Sequence, residues 1–522
     1  MTMEMILFLG GLALLVVGYF TYGRLVERIV GPDDRKTPAV ANPDGVDYVA
    51  MPKWKNMLIQ LLNIAGTGPV IGAIAGVKFG RVAFVIIPFG CILMGAVHDF
   101  VHGMMSLRSN GANLPQTVRE TLGGGFARGI AWLVVVLLLL ATAVMINVPS
   151  TLIDKTIIPE HPVFWWSATA IFAYYIVATL FPVDAIIGRI YPFFGAVLLI
   201  GSAAMLVTLV WNAVLDPAVL GEGEAFLRYQ AETFDANGRS PIFPLLFVTI
   251  ACGIASGAHA TQTPIVARTL RSEREARATF YGMMVAEGVI AMIWAGAALA
   301  IYNLAPENLT LPPAQVLANT VTRHLGRGFG LLTVAAVIIL VISSGDTGLR
   351  SLRMIAADAI GVEQKTMRSR VFVVLPLVAV VAGVLWWSNS SPATFGRLWN
   401  YFAWLNQTLV ATTLMACTVW LLREGKGWRS VVTLLPGMFF TTVVTSFILW
   451  TSADKGQPWG LGLPLPVAIA CGAAVALAFA AFALRQAKHG GAGRSDIVGL
   501  DRTASRRSLI TSTTGVRSRP SA

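Results

Sequence analysis

Asn63-Ile64-Ala65-Gly66-Thr67-Gly68-Pro69 and Cys252-Gly253-Ile254-Ala255-Ser256-Gly257-Ala258-His259 each interrupt, near its middle, an apolar run long enough to cross a bilayer. Gly costs about 1 kcal/mol and Pro about 3 kcal/mol in a helix interior, so neither run continues as one helix. In hydrocarbon, each backbone N–H or C=O freed by a break costs several kcal/mol unless a polar group meets it. A chain that does this twice builds a polar site at the midplane, which points to a transporter.

The rest of the sequence agrees with a membrane setting. Of 522 residues, 55% are hydrophobic and only 13% charged, and the mean hydropathy of +0.68 is too high for a soluble globular domain. With ~20 residues needed per crossing, the spans begin near Met5, Asn56, Val82, Gly129, Val163, Ile190, Pro241, Thr279, Gly328, Val371, Arg397, Ser430 and Pro464. The expected fold is an all-α polytopic membrane protein of about 13 transmembrane helices. No Lys or Arg precedes the first span, and Arg24 and Arg28 follow it, as expected for an uncleaved anchor with its N-terminus outside. Alternating sides from there puts roughly 30 of the 39 Lys and Arg in cytoplasmic segments. The expected topology has a periplasmic N-terminus and a cytoplasmic C-terminus. A net charge of +12, spread over loops facing anionic lipid, suits the bilayer surface rather than nucleic acid. Residues 486–522 lack apolar periodicity and read as a disordered cytoplasmic tail. Cys91, Cys252, Cys417 and Cys471 show no metal-ligand spacing; Cys252 alone sits at a break.

The second span enters from the cytoplasm and breaks about ten to thirteen residues in, ~15–20 Å deep. The seventh enters from outside and breaks at a similar depth, and an odd number of crossings separates the two. The topology therefore implies an inverted 5+5 repeat: 1–55 an anchor helix and loop, 56–213 the first half with its broken helix at 56–77, 214–422 the second half with its broken helix at 241–263, and 423–485 two accessory helices. Pro69 suits the first turn of a new half-helix, whose free N–H groups cradle a carboxylate. Gly68, Gly72 and Gly76 make a smooth face for close packing; packing alone would explain them in one segment, but two matched breaks favour a site.

Several stretches resemble the carbon starvation protein A (CstA) family, which includes peptide and pyruvate uptake systems of bacterial inner membranes. They are Asp44-Gly45-Val46-Asp47-Tyr48-Val49 with Lys53-Trp54; Ile64 to Pro69; Gly95-Ala96-Val97-His98-Asp99-Phe100; Arg108-Ser109-Asn110-Gly111-Ala112; Thr249 to Gly253 with Ser256, Gly257 and His259; Asp346 with Gly348, Arg350 and Arg353; and Asn406-Gln407. The resemblance implies a secondary transporter of LeuT-like broken-helix architecture in the bacterial inner membrane. It also implies import of pyruvate, other small carboxylates or short peptides during carbon starvation. Thr67 stands where other members carry Ala, His98 where they carry Gln, and the run after His259 is short, so substrate identity does not carry over.

Ionisable groups inside spans cost at least ~2.5–3.5 kcal/mol and are functional candidates by default. Asp99 reads either as a proton carrier, with His98 or His102 relaying, or as a lock paired with a loop cation such as Arg108. His102 is expected near the headgroups. Glu287 lies about eight residues inside span eight, where it shares a proton or pairs across helices. Asp346 ends span nine four residues before Arg350, the spacing of an ordinary helical ion pair. Ser343 and Ser344 offer hydroxyls to a sodium site, though without a carboxylate beside them. The candidate substrate-contacting residues are Asn63, Gly66, Thr67, Gly68 and Pro69, with Cys252, Gly253, Ser256, Gly257, His259, Thr261 and Gln262. Asn400, Asn406 and Gln407 are candidate wall or gate residues, or interhelical hydrogen-bonding groups.

The expected function is a proton symporter of a small carboxylate or short peptide, with a sodium-coupled carrier and a nutrient sensor as alternatives. A membrane redox enzyme using His98 and His102 is a further alternative. Against it stand only six His, no Cys-x-x-Cys-His, no His-Glu-x-x-His and no nucleotide-binding glycine fingerprint; no cofactor or metal is expected.

Overall fold

With no water in hydrocarbon to meet its polar groups, an apolar backbone closes its hydrogen bonds within itself, and the chain is helical accordingly. The computed structural model describes residues 2–43, 48–180, 184–233, 240–364, 366–391, 393–455 and 457–489, and no strand occurs among them. The apolar helices, in order, are α1 (Met3–Val30), α2 (Lys53–Ile64), α3 (Gly68–Phe79), α4 (Ala83–Arg108), α5 (Gly124–Ile157), α6 (Phe164–Leu180) and α7 (Asp184–Leu215). They continue with α8 (242–254, in three short pieces), α9 (His259–Ala267), α10 (Glu273–Leu304), α11 (Pro313–Ile360), α12 (Met367–Ser388), α13 (Thr394–Arg423), α14 (Gly427–Trp450) and α15 (Leu465–His489). Ten are long and apolar enough to cross a membrane unaided, and α2 with α3, bent by 54°, makes an eleventh. The expected count of about thirteen adds α6, which is 17 residues long, and the divided α8–α9 segment.

Both expected breaks are present and narrower than the quoted stretches. The first is confined to Ala65, Gly66 and Thr67, with Pro69 in the first turn of α3. The second spans Ala255 to Ala258, with Ala255 fully extended at φ −171°, ψ 143°, so Cys252 and Gly253 belong to the helical turn before it. Elsewhere two boundaries move. The ninth span is expected to begin near Gly328 and to end at Asp346; α11 is divided by a kink at Gly326 (φ 72°, ψ 170°), so that its long second part begins beside Gly328 as expected, but that part runs on to Ile360 and leaves Asp346 in its interior. Pro313, suited to a first helical position, starts the short piece before the kink, and the polar Ser343-to-Arg353 stretch continues the long piece inside protein rather than lipid. The last helix reaches His489, into the expected tail; residues 490–522 and Asp44 to Asp47 lie outside the described residues.

Helices α10 and α13 form the interior, with 89% of their most apolar stretch buried against 28% for α12 and α15 at the periphery. The glycine stripe of α3 explains how α8 reaches the centre. A methyl group on Gly68 would strike Cys252, one on Gly76 would strike Ile250, and one on Gly72 would lie 3.2 Å from the Thr249 carbonyl. The smooth face is thus filled by the other broken helix, which brings the two breaks to opposite sides of one cavity.

Charge clusters close the two ends. At one, Arg108 donates to Glu273 at 2.8 and 3.0 Å and to the Gly31 carbonyl at 2.7 Å, with Glu424 at 3.8 Å. The expected Asp99–Arg108 lock is therefore not formed; the guanidinium ends α4 and turns to the buried Glu273. Nearby, hydrogen bonds from Arg35 hold the Asp33 carboxyl well below the usual carboxylate range. At the other end Arg81 joins Glu4 at 2.9 Å and Glu222. Breaking a buried pair strands a charge, at a cost of ~3 kcal/mol or more. In thermal melts of purified protein, Arg108→Ala is expected to lower Tm by several degrees, whereas Arg274→Ala, which removes only the exposed pair with Asp34, leaves it unchanged.

Candidate functional site

The breaks leave a cavity of about 80 Å³ between them. Asn63, Gly66, Thr67 and Gly68 line one side, and Cys252, Ser256, His259, Thr261 and Gln262 another, with Ser344 and Phe402 completing the wall. Pro69, Gly253 and Gly257 support it from behind without lining it. At ~15 Å³ of such space per water, it has room for roughly five waters or a small organic acid.

The unwound backbone of α8 and the turn after it are met by one face of α13. Asn406 accepts from the Ala258 N–H at 2.8 Å and donates to Ser256 at 3.0 Å and to Cys252 Sγ at 3.2 Å. Gln407 donates to the Phe247 carbonyl, and Trp399 Nε1 to the Thr249 carbonyl at 3.3 Å. Asn406 and Gln407 thus act as interhelical hydrogen-bonding groups. Trp399, Phe402 and Asn406 fall at i, i+3 and i+7, one helical face. That spacing is visible in the sequence, but Trp399 and Phe402 read there as ordinary core aromatics. Asn400 points elsewhere, into a second cavity beside Trp399.

Behind His259 lies a buried ionisable cluster. Its Nδ1 is 3.0 Å from Asp99 Oδ2, and its Nε2 is 3.5 Å from Glu287 Oε2. The other oxygen of Asp99 meets His98 Nδ1 at 2.8 Å. Asp99, His98 and Glu287 are wholly buried and His259 is 3% exposed. The simplest assignment makes Asp99 a carboxylate accepting Nδ1–H from both imidazoles. One more proton then belongs between His259 Nε2 and Glu287, because a buried carboxylate with no hydrogen bond is costly, and Glu287 has none among the described residues. His102, expected near the headgroups, is instead fully buried and stacks on His98 with ring centroids 6.3 Å apart. Neither of its ring nitrogens has a hydrogen-bond partner among the described residues.

The remaining candidates are bonded locally. Asp346 pairs with Arg350 at 3.5 Å and accepts from Tyr174 at 3.2 Å. Ser343 and Ser344 both donate to the Leu340 carbonyl of their own helix; Ser344 alone reaches the cavity. Among the described residues no group of three or more His, Cys, Asp or Glu side chains is arranged to hold a metal ion.

A polytopic helical chain with two broken helices packed around a small cavity has the form of a membrane transporter, and the comparisons with known proteins agree. The chain belongs to the family described as carbon starvation protein CstA, whose model matches residues 3–227, 165–325 and 307–447. Among its relatives, an uncharacterized membrane protein of Haemophilus influenzae is 42% identical over 58% of this chain and 92% of its own. The peptide transporter CstA of Bacillus subtilis is 23% identical over 84% of this chain and 89% of its own. The pyruvate/proton symporter BtsT of Escherichia coli is 27% identical over 53% of this chain and 46% of its own. The fold resembles a crystal structure of the Eremococcus coleocola manganese transporter, with a TM-score of 0.52 and 12% identity over 86% of this chain and 99% of that one.

Replacing Asn406 by Leu strands the Ala258 N–H, a loss of roughly 1–3 kcal/mol for a buried unsatisfied group. Asn406→Leu is expected to lower Tm and to loosen the second break, read as faster modification of Cys252 by a thiol reagent. Thr408→Ala, on the same helix but bonded only within it, should do neither.

Proposed function

We propose that this protein imports a small monocarboxylate such as pyruvate together with a proton, binding the substrate between the two breaks and the proton on the His259–Glu287 pair. The observation that carries the reading is the position of His259: one imidazole lines the cavity and also bridges two buried carboxylates. With one proton between His259 and Glu287 and Asp99 ionised, the cluster has a net charge of −1 and repels an anion. A second proton brings it to zero, leaving an imidazolium on the cavity wall that attracts a carboxylate. Removing one unit of repulsion at ~6 Å with an effective dielectric near 20 is worth about 3 kcal/mol, roughly 100-fold in affinity. Substrate and proton therefore bind together, which is the requirement for symport.

The half-helix N-terminus at Gly68 and Pro69 adds N–H donors on the opposite side. Alternating access follows from rocking the broken segments against the remaining helices in the inverted-repeat manner. The cytoplasmic face is the one that carries Arg108 and Glu273, in keeping with the excess of basic residues there. A volume of about 80 Å³ favours a small acid over a peptide. Sodium coupling has less support, since Ser344 faces the cavity without a carboxylate beside it.

Uptake of labelled pyruvate into proteoliposomes tests this. An inside-alkaline gradient is expected to drive accumulation, and an imposed sodium gradient is not; the reverse result sinks the proton assignment. His259→Ala and Gly66→Leu, the latter filling the cavity, should abolish uptake. Glu287→Gln, a fixed mimic of the protonated acid, should keep pyruvate counterflow while losing pH-driven accumulation.

A further inference from the structure

A second cavity, of about 350 Å³, lies toward the end of the molecule that carries Glu4 and Arg81, the outer end in the proposed orientation. Phe79, Tyr229, Thr249, Leu311, Trp399 and Asn400 are among its walls. It is separated from the central cavity by a single layer. Trp399 lines the larger cavity and Phe402, one turn further along α13, lines the smaller. Their rings pack edge to face at 5.6 Å, and the Trp399 bond to the Thr249 carbonyl holds the layer shut.

Directly behind the wall is a cation that forms no ion pair among the described residues. Lys78 Nζ donates to the carbonyls of Leu309 at 2.7 Å and Leu311 at 3.4 Å and lies 5.6 and 5.9 Å from the ring centroids of Tyr302 and Tyr229. Among the described residues no carboxylate comes within 4.0 Å of it. The neighbouring cation, Arg81, has both Glu4 and Glu222. Leu311 and Tyr229, which hold the ammonium, are themselves wall residues, so its field enters the cavity through low-dielectric side chains that screen it poorly. Asn400, Thr249 and Thr310 supply polar groups, and the remaining lining is apolar and aromatic. A positive charge outside any such ion pair, behind a mostly apolar chamber with a few hydrogen-bonding groups, suits a small organic anion.

We infer that this outer cavity is a second binding site, which captures a small carboxylate before the Trp399 layer opens and owes its preference for anions to Lys78. The inference rests on the reading of the central cavity as a carboxylate site. Because the layer is closed while both cavities exist, the two sites fill independently, and the larger one holds its ligand loosely. Its weaker affinity and its position ahead of the barrier make it a loading site whose occupancy sets the concentration dependence of uptake.

Equilibrium dialysis of the purified full-length protein against labelled pyruvate, with uptake assayed in parallel, separates the possibilities. Wild type is expected to bind pyruvate at a tight and a weak site. Lys78→Gln should lose the weak site and raise KM roughly tenfold, the scale of electrostatic focusing, with little change in maximal rate. Lys78→Arg should restore both, and His259→Ala should lose the tight site and keep the weak one. One bound pyruvate in wild type, lost in His259→Ala and untouched by Lys78→Gln, overturns the outer site and leaves the central reading standing. No pyruvate bound to wild type overturns both. Should Lys78→Gln fail to yield monodisperse protein, the wild-type and His259→Ala isotherms decide alone: a weak site that survives the loss of His259 is required.

Discussion

The glycine edge of α3 lets one broken helix lie directly on the other, at Thr249, Ile250 and Cys252, and the central architecture follows from that contact. Two helices broken in hydrocarbon would each expose unmet carbonyl and amide groups. Placed against one another they share a single interior, and the absence of a Cβ at Gly68 and Gly76 lets them come into contact. The same contact leaves the central cavity, because backbones that unwind to avoid each other cannot also fill the space between them.

Helix α13 is the second requirement. It supplies three side chains, Trp399, Asn406 and Gln407, to the main chain around one break, while the first break closes mostly on its own residues, with the Gly66 amide turning back to Ile64 and that of Ile71 to Thr67. The two breaks are therefore unequal. The first is glycine-rich and locally satisfied; the second depends on a neighbour and is followed by His259, a cavity-facing imidazole that ties it to α4 through Asp99 and to α10 through Glu287.

The sequence makes some of this legible. The helical class and both breaks follow from composition and from the cost of Gly and Pro in a helix, which are local properties. His259, Asp99 and Glu287 each stand out as polar residues in apolar runs, but their union does not, since 160 residues separate His259 from Asp99. Sequence distance also misdirects Arg108: the nearby Asp99 is an obvious partner, whereas the actual one, Glu273, lies 165 positions away. His102 looks peripheral when depth is counted along a straight helix, but burial depends on the neighbours that pack around α4, which depth along one helix does not give. Trp399 and Lys78 are invisible for a different reason: an aromatic residue or an end-of-span lysine in a membrane helix is ordinary until its neighbours are known.

The Asn406 bond to the Ala258 amide has a consequence for how the molecule is made. Those partners are 148 residues apart, so at synthesis rates of about 5–20 residues per second the broken segment waits roughly 7–30 s for the helix that completes it. During that interval α8 has α3 to pack on but lacks the side chains that meet its freed main chain. The nascent chain must hold it in a wet, proteinaceous setting until α13 emerges. The segment that carries His259 is thus completed only when α13 arrives, and stays open to surveillance while the polypeptide is still growing.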